Sequence, residues 1–122
     1  MKIIGIVGSR RRNNLEDFNI CRDKFIEVYK KGDKIVSGGC KLGGDLFAEI
    51  IAKEFNITKE NGKLIIYLAE WSKYGKGAGF KRNTYIAQDA DVLIAVVAKD
   101  RMGGTEDTIR KAEKLKKQII LI

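Results

Sequence analysis

KIIGIV, residues Lys2 to Val7, is apolar at nearly every position. A strand with one wet face alternates apolar with polar residues, whereas a strand covered on both faces reads as an unbroken apolar run. The chain therefore begins with a strand held between two layers. Four further runs of this kind follow: DKIVSG (Asp33 to Gly38), KLIIYLAE (Lys63 to Glu70), DVLIAVVA (Asp91 to Ala98) and QIILI (Gln118 to Ile122). DVLIAVVA is the most apolar of them, which suits the middle of a sheet.

Between these runs the apolar residues recur at helical spacing. Asn14 offers an N-cap with Glu16 and Asp17 in the first turn, and Phe18, Cys21, Phe25 and Val28 form one stripe that should end near Gly32. GGDLFAEIIAKEF, from Gly43, predicts a second helix with Leu46, Ile50 and Phe55 inward. A third is predicted over about Gly79 to Gln88. GGTEDTIRKAEKLKK, from Gly103, predicts a fourth, with Thr105 as N-cap and Ile109, Ala112 and Leu115 inward. Strands that alternate with helices predict a single α/β domain over residues 1–122: a Rossmann-like three-layer αβα sandwich with a five-stranded parallel sheet.

With 122 residues, 44% of them hydrophobic, the chain can bury a core without metal or disulfide staples. Its longest apolar stretch, Val92 to Ala98, is far too short to cross a bilayer. In MKIIGIVGSRRRNN the basic cluster follows the apolar run, the reverse of a secretory signal, so a cytoplasmic location with no membrane partner is expected. There is no histidine, and Cys21 and Cys40 lack a C-x-x-C spacing. A histidine base is excluded, and neither a metal site nor a resident cofactor is expected. Cys21 shares the first helical stripe and reads as a buried thiol, while Cys40 sits in a glycine-rich loop. The net charge of +8 suits an acidic partner or plain solubility, and much of it lies in the lysine-rich RKAEKLKK, Arg110 to Lys117.

Position is more informative than total charge. Ligands of open α/β sheets bind beyond the carboxyl ends of the strands, where helix N-termini present free N–H groups. After the first four runs come GSRRR (from Gly8), SGGCKLGGD (from Ser37), EWSKYGKGAGFKRN (from Glu70) and AKDRMGGTED (from Ala98), each with glycine and basic residues. At the opposite edge KKGD, NITKENGK and QDAD carry no glycine pair and no comparable cluster. Glycine lets the backbone approach a phosphate and arginine or lysine neutralises it, so these loops predict a pocket for a phosphorylated ligand.

GIVGSR, IVSGGCKLGGD, AEWSKYGKGAGFKRN and GGTEDTIRKA, in this order and spacing, resemble the YspA/cpYpsA-related group of the SLOG superfamily, whose wider members include SMF/DprA and LOG proteins. The likeness spans nearly the whole chain. It implies a Rossmann-like domain that binds a nucleotide or nucleotide-derived ligand, often as a homo-oligomer. Carried over motif by motif, the binding residues are Gly8, Ser9 and Arg10; Ser37, Gly38, Gly39, Gly43 and Asp45; Trp71, Lys76, Gly79, Arg82 and Asn83; and Gly103, Gly104 and Thr105. Tyr74, Gly75 and Ala78 also match the third motif. Glu70 stands where aspartate is usual and Gly44 where alanine is common, both conservative departures.

Individual roles follow from side-chain chemistry. Arg82, near a helix N-terminus whose dipole disfavours it, suits a phosphate. Of Arg10, Arg11 and Arg12, only Arg10 lies inside the matched motif. Asp45 is either a helix-capping acid or an acceptor for a ribose hydroxyl, and Trp71 and Tyr74 either stack on a base or anchor their loop.

Three functions are compatible with these residues. The first is nucleotide binding, as in a sensor domain. The second, implied by LOG proteins, is hydrolysis of a nucleoside monophosphate's N-glycosidic bond, resting on Arg82 and Asp107 as catalytic pair. Here, however, Thr108 stands where the family's glutamate is expected. The third, drawn from net charge and the SMF/DprA likeness, is single-stranded nucleic-acid binding.

Overall fold

The computed structural model describes residues 1–122. Strands β1 (Ile3–Gly8), β2 (Lys34–Gly38), β3 (Leu64–Tyr67), β4 (Val92–Val96) and β5 (Gln118–Leu121) form one all-parallel sheet in the order β3-β2-β1-β4-β5. Helices α1 (Leu15–Val28) and α2 (Gly44–Glu54) cover one face. Across the sheet lie α4 (Ala78–Asp89) and α5 (Gly104–Lys114), while the short α3 (Trp71–Tyr74) and a 3-10 turn (Gly75–Gly77) precede α4. This is the Rossmann-like three-layer fold expected.

The pleat explains the unbroken apolar runs. Ile4 and Ile6 of β1 join Ile35, Ile94 and Val96 against Cys21, Phe25, Phe47 and Ile51. Val7 faces the other way and packs with Val36, Leu93 and Ala95 against Ile86, Ala87, Ile109 and Ala112. Burial of each large side chain stabilises the fold by about 1.5–3 kcal/mol. All five residues of β4 are buried, but β1 is the middle strand and β4 lies beside it. Cys21 is fully buried, and burial pushes its thiol up to about 12, so it is an inert core residue. No helix is long and apolar enough to cross a membrane.

Several local expectations change. In α2 the inward residues are Phe47, Ala48, Ile51 and Ala52, with Phe55 partly buried, whereas Ile50 is 45% exposed. The cause lies at the head of the helix. A Cβ on Gly44 would sit 2.3 Å from the Gly8 nitrogen and from the Val7 carbonyl carbon, so α2 rests backbone against backbone on the end of β1. That contact fixes the rotation of the helix, and it makes Gly44 no equivalent of alanine. In α5 the cap position is Gly103, at φ 119°, and Thr105 lies inside the first turn. Leu115 is 47% exposed because it follows the last helical residue, where the chain turns toward β5. The first helix ends at Val28, before Gly32.

The edge opposite the glycine loops is pinned by Asp33. Its buried carboxylate accepts from the Lys2 backbone N–H (3.0 Å), the Lys30 backbone N–H (2.8 Å) and the Lys2 ammonium. Burial pushes this carboxyl upward, but the three donors outweigh it and leave it below the ordinary range. A lowered acid stabilises the fold above its unfolded pKa and loses that contribution as pH falls through the folded one. Asp33→Ala is therefore expected to cost about 2–3 kcal/mol at neutral pH. In urea denaturation the difference from wild type should shrink in acid, and a gap that stayed constant would refute this role.

Candidate functional site

The strand order creates the site. From β1 the chain proceeds to β2 on one side, while β4 lies on the other, so the loops leaving β1 and β4 diverge. Such a divergence opens a crevice beyond the strand ends. Here the crevice measures about 840 Å³ and takes its lining from all four strand-to-helix loops.

Most of the expected residues meet there. Gly8, Ser9 and Arg10 enter after β1, and Gly39 and Asp45 after β2. Trp71, Lys76, Gly79, Arg82 and Asn83 enter after β3, and Gly103, Gly104 and Thr105 after β4. Ser37, Gly38 and Gly43 are buried and outside the lining, with Gly38 between Asp45 Oδ2 and Arg82 Nη1. The single Ser37 hydroxyl hydrogen is shared between the Ile6 carbonyl and Asp45 (3.1 Å), and a Cβ on Gly43 would lie 2.3 Å from the Ser9 oxygen. Asp107 is outside the lining too. Its carboxylate accepts from Asn83 (3.2 Å) and Lys111 (2.6 Å), clamping α4 to α5.

The charges in the crevice are unbalanced. Arg10, Arg11, Lys76 and Arg82 line it, against Asp45 as the single acid. Arg11 is occupied, with a fork of hydrogen bonds to Asp100 at 2.8 and 2.7 Å. Arg12 turns away to Asp17 and to the carbonyls of Val97 and Ile122. Arg10, Lys76 and Arg82 have no carboxylate partner in any ion pair. Three uncommitted cations around one hollow leave it with an excess of positive charge. The ends of the helices reinforce it, because α2, α4 and α5 begin without a side-chain cap on their N–H groups, whereas Asn14 caps α1.

Arg82 is aimed by its neighbour. Its Nε donates to Asn83 Oδ1 at 2.9 Å, and Asn83 Nδ2 donates to the Gly104 carbonyl (3.3 Å) and to Asp107. Donor meets acceptor at each end, so the amide orientation is set by its partners. The Nη groups remain open.

A flat apolar surface adjoins the cations. Trp71 is 61% exposed and lines the crevice, with its ring 3.4 Å from where a Gly79 Cβ would be. Tyr74 is the anchor: Lys73 and Lys81 sit over its ring at 5.2 and 4.4 Å. The connection after β3 is itself largely helical, with α3 and the 3-10 turn carrying Trp71 and Lys76 to the rim.

Sequence reasoning missed Leu68, Phe80 and Met102 in the lining. All three are exposed apolar side chains, Leu68 and Met102 in strand-to-helix loops and Phe80 in the first turn of α4, a placement that could have marked them. Thr108, at the position of the family's glutamate, is buried and lines the crevice, whereas Asp107, the substitute considered for it, does not.

The chain matches no protein-family model and no curated protein. Among solved structures it is similar to the molybdenum cofactor binding protein from the phototrophic bacterium Rippkaea orientalis, at TM-score 0.74 and 22% identity. It is also similar to the molybdenum cofactor carrier protein of Chlamydomonas reinhardtii, at TM-score 0.64 and 25% identity. Each likeness covers 98% of this chain and 75% of the other. At such identity the common property is the fold.

Proposed function

We propose that the crevice binds a small ligand that carries a phosphate and a flat ring, a nucleotide or nucleotide-derived compound in a SLOG-like domain. The observation that carries this reading is the meeting of three unpaired cations, Arg10, Lys76 and Arg82, with the exposed Trp71 ring around one hollow. Phosphate suits a guanidinium fork beside uncapped helix ends, and a heterocycle suits an indole face. The two similar structures are of a molybdenum cofactor binding protein and a molybdenum cofactor carrier protein, so that cofactor belongs among the candidates.

Binding is favoured over hydrolysis by one detail. Asp107, the acid that the LOG resemblance assigns to N-glycosidic cleavage, is held by Asn83 and Lys111 away from the crevice, where Thr108 stands instead. Threonine offers no carboxylate to steady a cationic sugar or activate water. Prolonged incubation with nucleoside monophosphates should release no free base.

Trp71 is the single tryptophan of the chain, so its fluorescence reports on the crevice directly. Titration with nucleoside phosphates should quench it, and Trp71→Ala should weaken binding by roughly 5- to 100-fold in calorimetry, the span of base-on-aromatic stacking. A panel of nucleoside mono- and diphosphates that left both the fluorescence and the calorimeter silent would refute the reading.

A further inference from the structure

Asp45 is the anomaly of the crevice. A carboxylate 7% exposed is placed at an anion site, where bare negative charge repels the ligand. Its Oδ1 accepts from the Ser37 hydroxyl at 3.1 Å and its Oδ2 from the Cys40 N–H at 3.2 Å, yet it forms no ion pair with Arg82, the nearest cation. Instead, Asp45 Oδ2 and Arg82 Nη1 flank Gly38, each 2.7 Å from the point that a Cβ there would occupy. Any larger residue at position 38 would fill the space between them. An acceptor-only oxygen and an open donor therefore stand side by side, apart but within reach of one small group.

On the ligand reading given above, we propose that Asp45 and Arg82 form a paired subsite that takes an anionic oxygen on the guanidinium and an O–H donor on the carboxylate, selecting ligands that present both together. A hydrogen between the ligand and Asp45 converts their repulsion into a charge-assisted hydrogen bond. A ligand without that hydrogen leaves a buried charge facing an anion, which is how a polar site rejects an analogue. The donor has two possible sources: a hydroxyl of the ligand beside its phosphate, or a proton carried by the phosphate itself. Burial raises the Asp45 carboxyl above the ordinary range, against the pull of the Cys40 N–H, the Arg82 charge and the Ser37 hydroxyl, so a shared proton is well placed. The other charged groups lining the crevice are Arg82 of α4, Arg10 and Arg11 after β1 and Lys76 after β3, and Cys40 is the remaining titratable one.

The test is calorimetry with adenosine monophosphate and its 2′,3′-dideoxy analogue at about pH 5.5 and about pH 8, on either side of the second phosphate ionisation. If the donor is a ligand hydroxyl, wild type should prefer the hydroxylated nucleotide by about tenfold or more at both pH values. Asp45→Asn, which keeps the shape of the side chain, should then shrink the preference to less than about threefold, chiefly by improving the dideoxy compound. If the donor is a phosphate proton, the two nucleotides should bind alike and tighten together in acid, a response that Asp45→Asn removes. Equal binding without acid tightening overturns the proposal, as does discrimination that survives in Asp45→Asn. In both cases the ligand reading stands, whereas silence with both nucleotides overturns the two together. The nucleotide comparison and the acid response are read on wild type, so a variant that failed to fold would leave the test intact.

Discussion

Arg82→Ala is expected to weaken binding of a nucleoside monophosphate by roughly 10- to 100-fold in calorimetry, the loss that follows when a charged hydrogen-bond fork of about 1.5–3 kcal/mol is removed. The fold should barely notice. Within the protein Arg82 makes one hydrogen bond, to Asn83, and no ion pair. Arg82→Lys should fall between, because an ammonium keeps the charge and loses the planar fork. Unchanged affinity in the alanine variant would remove Arg82 from the site. Equal weakening by Arg11→Ala would show that the Asp100 tether does not withhold Arg11 as described.

Gly44→Val should have the largest effect on stability, at least about 3 kcal/mol, because no rotamer change relieves a clash between a side chain and fixed backbone. The ideal Cβ already lies 2.3 Å from the Gly8 nitrogen and 2.5 Å from the Val7 oxygen. Either α2 lifts from β1 or the strand end moves, and both disturb the crevice wall. Urea denaturation should show a lower midpoint with an unchanged slope. Gly77→Ala is the control: its backbone has an ordinary negative φ of −81° and nothing lies within 4 Å of an added Cβ. It should be neutral or slightly stabilising. A Gly44 variant as stable as that control would refute the backbone contact.

The sheet and its layers were legible because buried parallel strands leave unbroken apolar runs, and the helices because Cys21 and Phe25, or Ile109 and Ala112, recur at helical spacing. The rotation of α2 was hidden, since it depends on how closely Gly44 meets β1, a distance between segments remote in sequence. Leu46 and Ile50 fit a helical stripe as well as Phe47 and Ile51 do.

The site was legible at the level of loops. Four glycine-bearing, basic connections at one edge were enough to bring Arg10, Lys76, Arg82 and Trp71 to one crevice. Which arginine stays free was decided elsewhere, by Asp100 and Asp17, whose approach to Arg11 and Arg12 depends on tertiary placement. Asp107 and Thr108 teach the same lesson: neighbours in sequence, they face different ways on α5, and one of them is spent holding two helices together.

The seam between α2 and β1 has a consequence for how such a hollow can change over time. Its atoms belong to the part of a polypeptide that all sequences share, so drift in side chains passes over it so long as position 44 carries only hydrogen. Descendants could exchange every cation and ring at the mouth for others and still inherit the cup itself. New cargo would then require only a new lip.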